Sequence, residues 1–231
     1  MIDNYKVLAV TLARGGSKGI FRKNITPLQG RPLIEYTILE ARLSKYIDKH
    51  IVSTESKEIA EVVKNLGTEV HARPTELASD TTTSAEALIE LVEKDIYSKY
   101  DFVVELMATS PLKTAEDIDS CIELLARAQY QTVVSMTTSP VHPSRIKYKD
   151  HNQILPFFPE VPESRRQGLL PLAFIRNGAI YGMPRKFLLE NRVRLSPDAY
   201  GYIMPPERSI NIDSNLDLLL AEAILNDRDN C

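Results

Sequence analysis

The 231-residue sequence predicts an α/β protein with a doubly wound, mainly parallel sheet, in a single domain spanning residues 1–231. Three observations carry that expectation. β-rich runs alternate with amphipathic runs of helical period at least four times in succession, the order that builds a parallel sheet with helices on both faces. With 43% hydrophobic and 26% charged residues, the chain has the composition of an ordinary globular protein and is long enough to bury a sizeable core. A glycine-rich basic loop follows the first apolar run directly, where backbone amides can cradle an anion.

The elements follow in order. Lys6 to Leu12 (KVLAVTL) reads as a buried strand, and Pro32 to Ser44 as a helix with proline in its first turn and Ile34, Ile38 and Ala41 on one face. Ile51 to Thr54 is a strand. The next helix keeps Ile59, Val62, Val63 and Leu66 at i, i+3, i+4, i+7 until Gly67 stops it, and Glu69 to Arg73 is a short strand. From about Ser84, a candidate N-cap, a longer helix turns Ala85, Leu88, Ile89, Val92 and Ile96 inward. Phe102 to Met107 is a strongly apolar strand. Thr114, with Asp117 three residues later, opens a helix burying Ile118, Cys121, Ile122 and Leu125, and Thr132 to Met136 is a strand. Between Pro140 and Leu172 the rhythm breaks: six of the 14 prolines fall there, and no helical period is sustained. Long irregular insertions of this kind are usually functional, so residues 140–172 read as an arm or hairpin projecting from the sheet. Ala179 to Met183 is then a strand, Pro184 to Asn191 a short helix and Tyr200 to Met204 a strand. Ser214 begins a final helix with Leu216, Leu219, Leu220, Ala223 and Ile224 on one face.

Several classes are excluded. No apolar run approaches the ~20 residues of a membrane span, and the N-terminus lacks the basic and apolar regions of a secretory signal, so a cytoplasmic location is expected. Two cysteines, Cys121 and Cys231, without metal-ligand spacing rule out a disulfide framework. The net charge of -3 is unevenly spread. Lys6, Arg14, Lys18, Arg22, Lys23 and Arg31 give the acid-free stretch between Asp3 and Glu35 a charge of +6, which leaves -9 for the remainder. A nucleic-acid binder shows a longer basic stripe, so a small phosphate-bearing ligand is expected there.

The chemistry centres on Ala13-Arg14-Gly15-Gly16-Ser17-Lys18-Gly19, which holds three of the nine glycines. Glycines let backbone amides approach a ligand unobstructed, and two cations beside them suit a polyphosphate. The loop is neither a Walker A motif nor a GxGxxG fingerprint. The plainer alternative is a flexible basic connection with solvated charges.

LARGGSKGIFRKN, together with IVSTES, ARPTELASDTTTS, LMATSPLK, HPSR, RRQ, IRNGAIY and SINIDSNLDL, resembles the acylneuraminate cytidylyltransferase family, the CMP-sialic acid synthetases, from Lys6 to about Asn226. That resemblance implies a sheet of nucleotide-sugar-transferase type with residues 140–172 as an inserted dimerisation arm, and a homodimer. It implies an enzyme that joins the 2-hydroxyl of a nonulosonic acid, a nine-carbon sugar acid, to the α-phosphorus of CTP and releases pyrophosphate. Arg14, Lys18, Lys23 and Asp213 are then the catalytic positions. Gly15, Gly16, Ser17, Asn24, Arg73 and Ser84 join Arg14 and Lys23 around the nucleotide, with Asn24 reading the cytosine. Arg145, Arg166, Gln167, Asn177 and Tyr181 match sugar-binding positions, a guanidinium suiting the sugar carboxylate. The implied cofactor is Mg²⁺, with Asp213 as its central ligand and Asn211 beside it, where the family normally has a second aspartate.

Two further departures bear on the sugar. Met107 stands where sialic acid members commonly have glutamine, and Val193-Arg194 stands in place of an aromatic pair. A legionaminic or pseudaminic acid is therefore an alternative substrate. Asn211 also leaves open a catalytically weak nucleotide-binding homologue.

Overall fold

The first strand, β1 (Val7–Leu12), is an almost unbroken apolar run because both of its faces are covered. Val7 and Ala9 enter one hydrophobic cluster while Leu8 and Val10 enter another, the two-residue alternation of a strand. The structure, a computed structural model, describes residues 1–17, 19–128, 131–158 and 171–229.

After β1 come a short ribbon of β2 (Pro27–Leu28) and β3 (Arg31–Pro32), then α1 (Leu33–Leu43), β4 (Lys49–Thr54), α2 (Lys57–Asn65) and β5 (Glu69–Ala72). The chain continues through α3 (Ser84–Val92), β6 (Phe102–Leu106), α4 (Ala115–Arg127) and β7 (Val133–Thr138). A hairpin of β8 (Lys147–Asp150) and β9 (Gln153–Pro156) precedes β10 (Phe174–Pro184), α5 (Arg185–Asn191), β11 (Tyr200–Ile203) and α6 (Asn215–Asp229). Seven strands form one sheet in the order β11-β7-β10-β6-β1-β4-β5. Every pairing is parallel except those of β10, which runs antiparallel to both β6 and β7. The chain moves outward from β1 to β4 and β5, then returns to β6 on the other side of β1. That reversal is where open α/β sheets leave a crevice at the carboxyl ends of their strands.

Helices cover both faces, as expected. Ala41 of α1 and Ile118, Ile122 and Leu125 of α4 pack with Val7 and Ala9, while Leu88 and Ile89 of α3 and Leu188 of α5 pack with Leu8 and Val10. Thr114 and Asp117 form a full capping box at the start of α4, Asp117 serving in the place usually held by Glu or Gln.

The structure corrects four details. Thr83, not Ser84, caps α3: its hydroxyl accepts from the Glu86 N–H at 3.2 Å, and the Glu86 carboxylate accepts from the Thr83 N–H at 2.7 Å. The helix ends at Val92, so Ile96 falls in a 3-10 turn (Asp95–Tyr97) and faces solvent while Tyr97 fills the core. β10 is longer than the apolar run Ala179 to Met183, because its first half pairs with β7 around an irregularity that includes Gly178 at φ +71. In α6 the inward face is Leu218, Ala221, Ile224 and Leu225, packed against Leu28, Leu33 and Leu112, whereas Leu216, Leu219 and Leu220 are exposed. Both stripes of α6 are leucine-rich, so periodicity alone could not choose between them.

The described part of the arm includes a 3-10 turn (Pro143–Arg145) and the β8–β9 hairpin, paired from Lys147 with Pro156 to Asp150 with Gln153. It exposes Tyr148, Ile154, Phe157 and Phe158, with Tyr148 and Phe157 edge to face at 5.9 Å. Among the described residues no helix is long and apolar enough to cross a membrane.

Candidate active site

A cleft of about 440 Å³ opens at the carboxyl ends of β1, β5 and β6. Arg14, Gly16, Ser17, Lys23 and Asn24 reach it from the loop after β1, and Arg73 from the turn after β5. Ser84 comes from the start of α3, and Asp213 from the segment before α6. Eight of the expected site residues thus share one cleft, although up to 199 positions separate them in the chain.

The glycines shape the loop in different ways. The Gly15 N–H donates to Glu55 Oε1 at 2.6 Å, and Arg73 donates to Glu55 Oε2 at 2.8 Å, so one carboxylate ties the loop to the base of the cleft. Burial raises the Glu55 pKa, but these two hydrogen bonds outweigh it and bring the carboxyl below its ordinary value. Gly15 therefore spends its amide on the scaffold, while Gly16 lines the cleft. At Gly19 a Cβ would collide with the Asp213 carbonyl oxygen, so the loop meets the segment before α6 backbone to backbone. Asn24 is buried, lines the cleft and donates from Nδ2 to the Arg14 carbonyl at 3.0 Å, which fixes the loop.

The cations are held by exchangeable partners. Arg14 pairs with Asp80 at 2.8 Å across the mouth, and Lys23 Nζ with Asp213 Oδ1 at 2.8 Å. Asp80 and Asp213 are both exposed, and exposed ion pairs contribute little, so an incoming phosphate can take over either cation at small cost. The basic N-terminal stretch is only partly devoted to this cleft. Arg22 turns away to Glu58 at 2.5 Å, and Lys6 lies at the opposite end of β1. Lys18 lies outside the described residues.

Asp213 accepts from Lys23 through Oδ1 and from Asn211 Nδ2 through Oδ2, the latter at 2.5 Å. The Asn211 oxygen is itself the acceptor of the Thr109 hydroxyl at 2.6 Å. Asn211 thus presents its NH₂ to Asp213 and its oxygen to Thr109, and orients the carboxylate. No cluster of three His, Cys, Asp or Glu residues suited to a metal occurs among the described residues. One carboxylate still fits Mg²⁺, which is commonly bound by one or two carboxylates, water and substrate phosphates.

The expected sugar positions divide. Tyr181, on β10, pairs in register with Glu105 on β6 and lies under Arg194, whose guanidinium carbon is 4.2 Å from the ring centroid. Asn177 is buried away from the cleft with its amide fully used: Oδ1 accepts from Ser135 and the Ala179 N–H, while Nδ2 donates to Ser209 and Met204 Sδ. It braces the β10 irregularity and does not line the cleft. Arg145 sits in a 3-10 turn (Pro143–Arg145) at the base of the arm, outside the cleft lining. Arg166 and Gln167 lie outside the described residues.

Two buried charges escaped the sequence reading. Glu105 is fully buried in the cleft wall and bonded to Arg194; its signal was a lone carboxylate in the apolar run FVVEL. Lys113, at the end of LMATSPLK, is 1% exposed and donates to Thr37 Oγ1, the Met107 carbonyl and the Ser110 carbonyl at 2.6–2.8 Å. In its charged form all three ammonium protons are used, and these bonds hold the turn that carries Met107 and Thr109 into the cleft.

A glycine-rich loop at the reversal point of a doubly wound sheet, opposite a carboxylate that a cation can share, is the architecture of a nucleotide-handling α/β protein. Residues 8–157 match the sequence model described as cytidylyltransferase, and the chain belongs to that family. It is 32% identical, over 95% of its own length and 52% of the other's, to N-acylneuraminate cytidylyltransferase of Escherichia coli O18:K1:H7. It therefore spans about half the length of that relative. It is 31% identical, over 95% of its own length and 96% of the other's, to CMP-N,N'-diacetyllegionaminic acid synthase of Legionella pneumophila subsp. pneumophila. Its fold is similar to that of CMP:2-keto-3-deoxy-manno-octonic acid synthetase complexed with CTP, with a TM-score of 0.73 at 15% identity over 96% and 99% of the two chains.

Proposed function

We propose that this protein is an enzyme that couples CTP to the 2-hydroxyl of a nonulosonic acid, giving the CMP-sugar and pyrophosphate. The observation that carries this reading is the convergence of Arg14, Ser17, Lys23, Asn24, Arg73, Ser84 and Asp213 on one cleft. The 2-hydroxyl oxygen bonds to the α-phosphorus as its proton leaves, and the bond from that phosphorus to the bridging oxygen breaks with its electrons passing to pyrophosphate. Arg14 and Lys23 release Asp80 and Asp213 to hold the phosphates, and their charge stabilises the negative charge that develops on the leaving group. Asn24 and Arg73 face the nucleoside from the floor of the cleft. Mg²⁺, when bound, neutralises phosphate charge; Asp213 is the residue that would hold it, and Asn211 would keep that carboxylate in place.

Within the class, N,N'-diacetyllegionaminic acid is the substrate we expect to turn over fastest, because Met107 and Val193-Arg194 stand where sialic acid members commonly have glutamine and an aromatic pair, and the chain is 31% identical to the Legionella synthase. A homodimer formed through the 140–172 arm belongs to the same proposal, supported by the aromatic surface of the β8–β9 hairpin. So does a cytoplasmic location, where CTP is available. Mass spectrometry of the products tests the reading: with CTP, Mg²⁺ and the sugar acid, a CMP-sugar should accumulate. CTP consumed without that product contradicts it.

A further inference from the structure

Glu105 is an unusual wall for a nucleotide cleft. It is the penultimate residue of β6 at 0% exposure, between apolar neighbours on an interior strand. One oxygen, Oε2, takes the Arg194 guanidinium, while Oε1 has no hydrogen-bond partner among the described residues although it is buried. A buried carboxylate with an unmet acceptor is costly, and a structural role alone would be served as well by an apolar pair. The arrangement is nevertheless held from two sides. The Arg194 guanidinium is pinned by the Tyr181 ring at 4.2 Å, and Tyr181 is pinned in register opposite Glu105 by the β6–β10 pairing. Glu105, near the end of β6, and Met107, in the turn that follows, both line the cleft; Glu105 is flanked by Val10 of β1 and Tyr181 of β10, and the Ser84 side chain favours its charged form.

We propose that Glu105 is a specificity-determining residue for the sugar acid, its free Oε1 accepting a hydrogen bond from a substrate hydroxyl or amide N–H, with Arg194 as the residue that positions it. This rests on the function proposed above. A carboxylate has only acceptors to offer, so the site selects a donor, and a sugar that lacks one there leaves Oε1 unpaired in the complex. Arg194, stacked on Tyr181, fixes the rotamer of Glu105 and balances its charge.

The test compares steady-state kinetics of the full chain and its Glu105→Gln and Arg194→Met variants, with CTP and either N-acetylneuraminic or N,N'-diacetyllegionaminic acid. The double variant Glu105→Leu/Arg194→Leu, which replaces the pair by apolar volume, guards against a misfolded single variant, and thermal melting verifies each fold. The expected result is a KM for the preferred sugar acid raised about tenfold or more in all three variants, a KM for CTP within about twofold of wild type, and a changed preference between the two acids. Arg194→Lys, which keeps the charge but loses the planar fork, should recover only part of the loss. Wild-type turnover with unchanged sugar-acid KM in the variants, or with the CTP KM rising instead, overturns this inference alone. A wild type silent with both acids overturns the proposed function and this inference with it.

Discussion

At the scale of single residues, the proposed function has Arg14 and Lys23 exchange their carboxylate partners for phosphate. Lys23 is largely shielded, and its ion-pair partner among the described residues is the exposed Asp213 carboxylate, so its charge is available to a phosphate without a large desolvation change. Substituting Lys23 with Ala should lower kcat/KM by about 100-fold or more while moving the melting temperature by no more than about 2 °C, a split that initial rates and thermal denaturation would read together. Asn211 tests the metal position. Its NH₂ lies 2.5 Å from Asp213 Oδ2, so Asn211→Asp would place two carboxylates side by side. The Mg²⁺ concentration for half-maximal rate should then fall several-fold, and an unchanged titration would remove Asn211 from the account. The loop residues were legible in the sequence because glycines and cations stand out after an apolar strand. Glu105 and Lys113 were not, because each is one charge in an apolar stretch whose partners, Arg194 and Thr37, lie 89 and 76 positions away.

At the scale of elements, the turn after β6 is the critical joint, since it carries Met107 and Thr109 and rests on Lys113. Burial lowers the Lys113 pKa from its ordinary 10.5 to about 7, with Glu40 and Asp117 opposing the shift. The sign follows from linkage. Between about 7 and 10.5 the unfolded chain binds a proton at Lys113 that the folded chain does not, so this group makes stability rise with pH across that window. Urea midpoints at pH 7, 8 and 9 should climb more for wild type than for Lys113→Met; parallel curves would contradict the assignment. Strands and helices were readable from period and caps wherever one face alone was apolar, as in α2 and α4. The reading failed on α6, where two leucine stripes compete, and at the start of α3, where Thr83 and Ser84 are both good caps and only Thr83 has a glutamate three residues on.

At the scale of the whole molecule, the mainly parallel sheet was implied by the alternation of elements, but the strand order and the antiparallel insertion of β10 were not. A strand whose residues are buried on both faces carries no mark of its direction. Charge told a similar story: the +6 stretch pointed to the right loop, yet Arg22 and Lys6 serve elsewhere, and Arg73 arrives from outside that stretch. The exposed hairpin bears on assembly. If the arm joins two copies, light scattering should give twice the 26.0 kDa of one chain, and Ile154→Glu/Phe157→Glu should return the monomer mass with the secondary structure intact. A monomer in the wild type would contradict the arm's assigned role.

The initial rate of pyrophosphate release tests the central claim most directly. With Mg²⁺, each of CTP, UTP and ATP would be paired with N-acetylneuraminic, legionaminic and pseudaminic acids. Release should require CTP and a nine-carbon sugar acid together, and should be fastest with N,N'-diacetyllegionaminic acid. Release from CTP without any sugar acid, or equal rates with the three nucleotides, would contradict it.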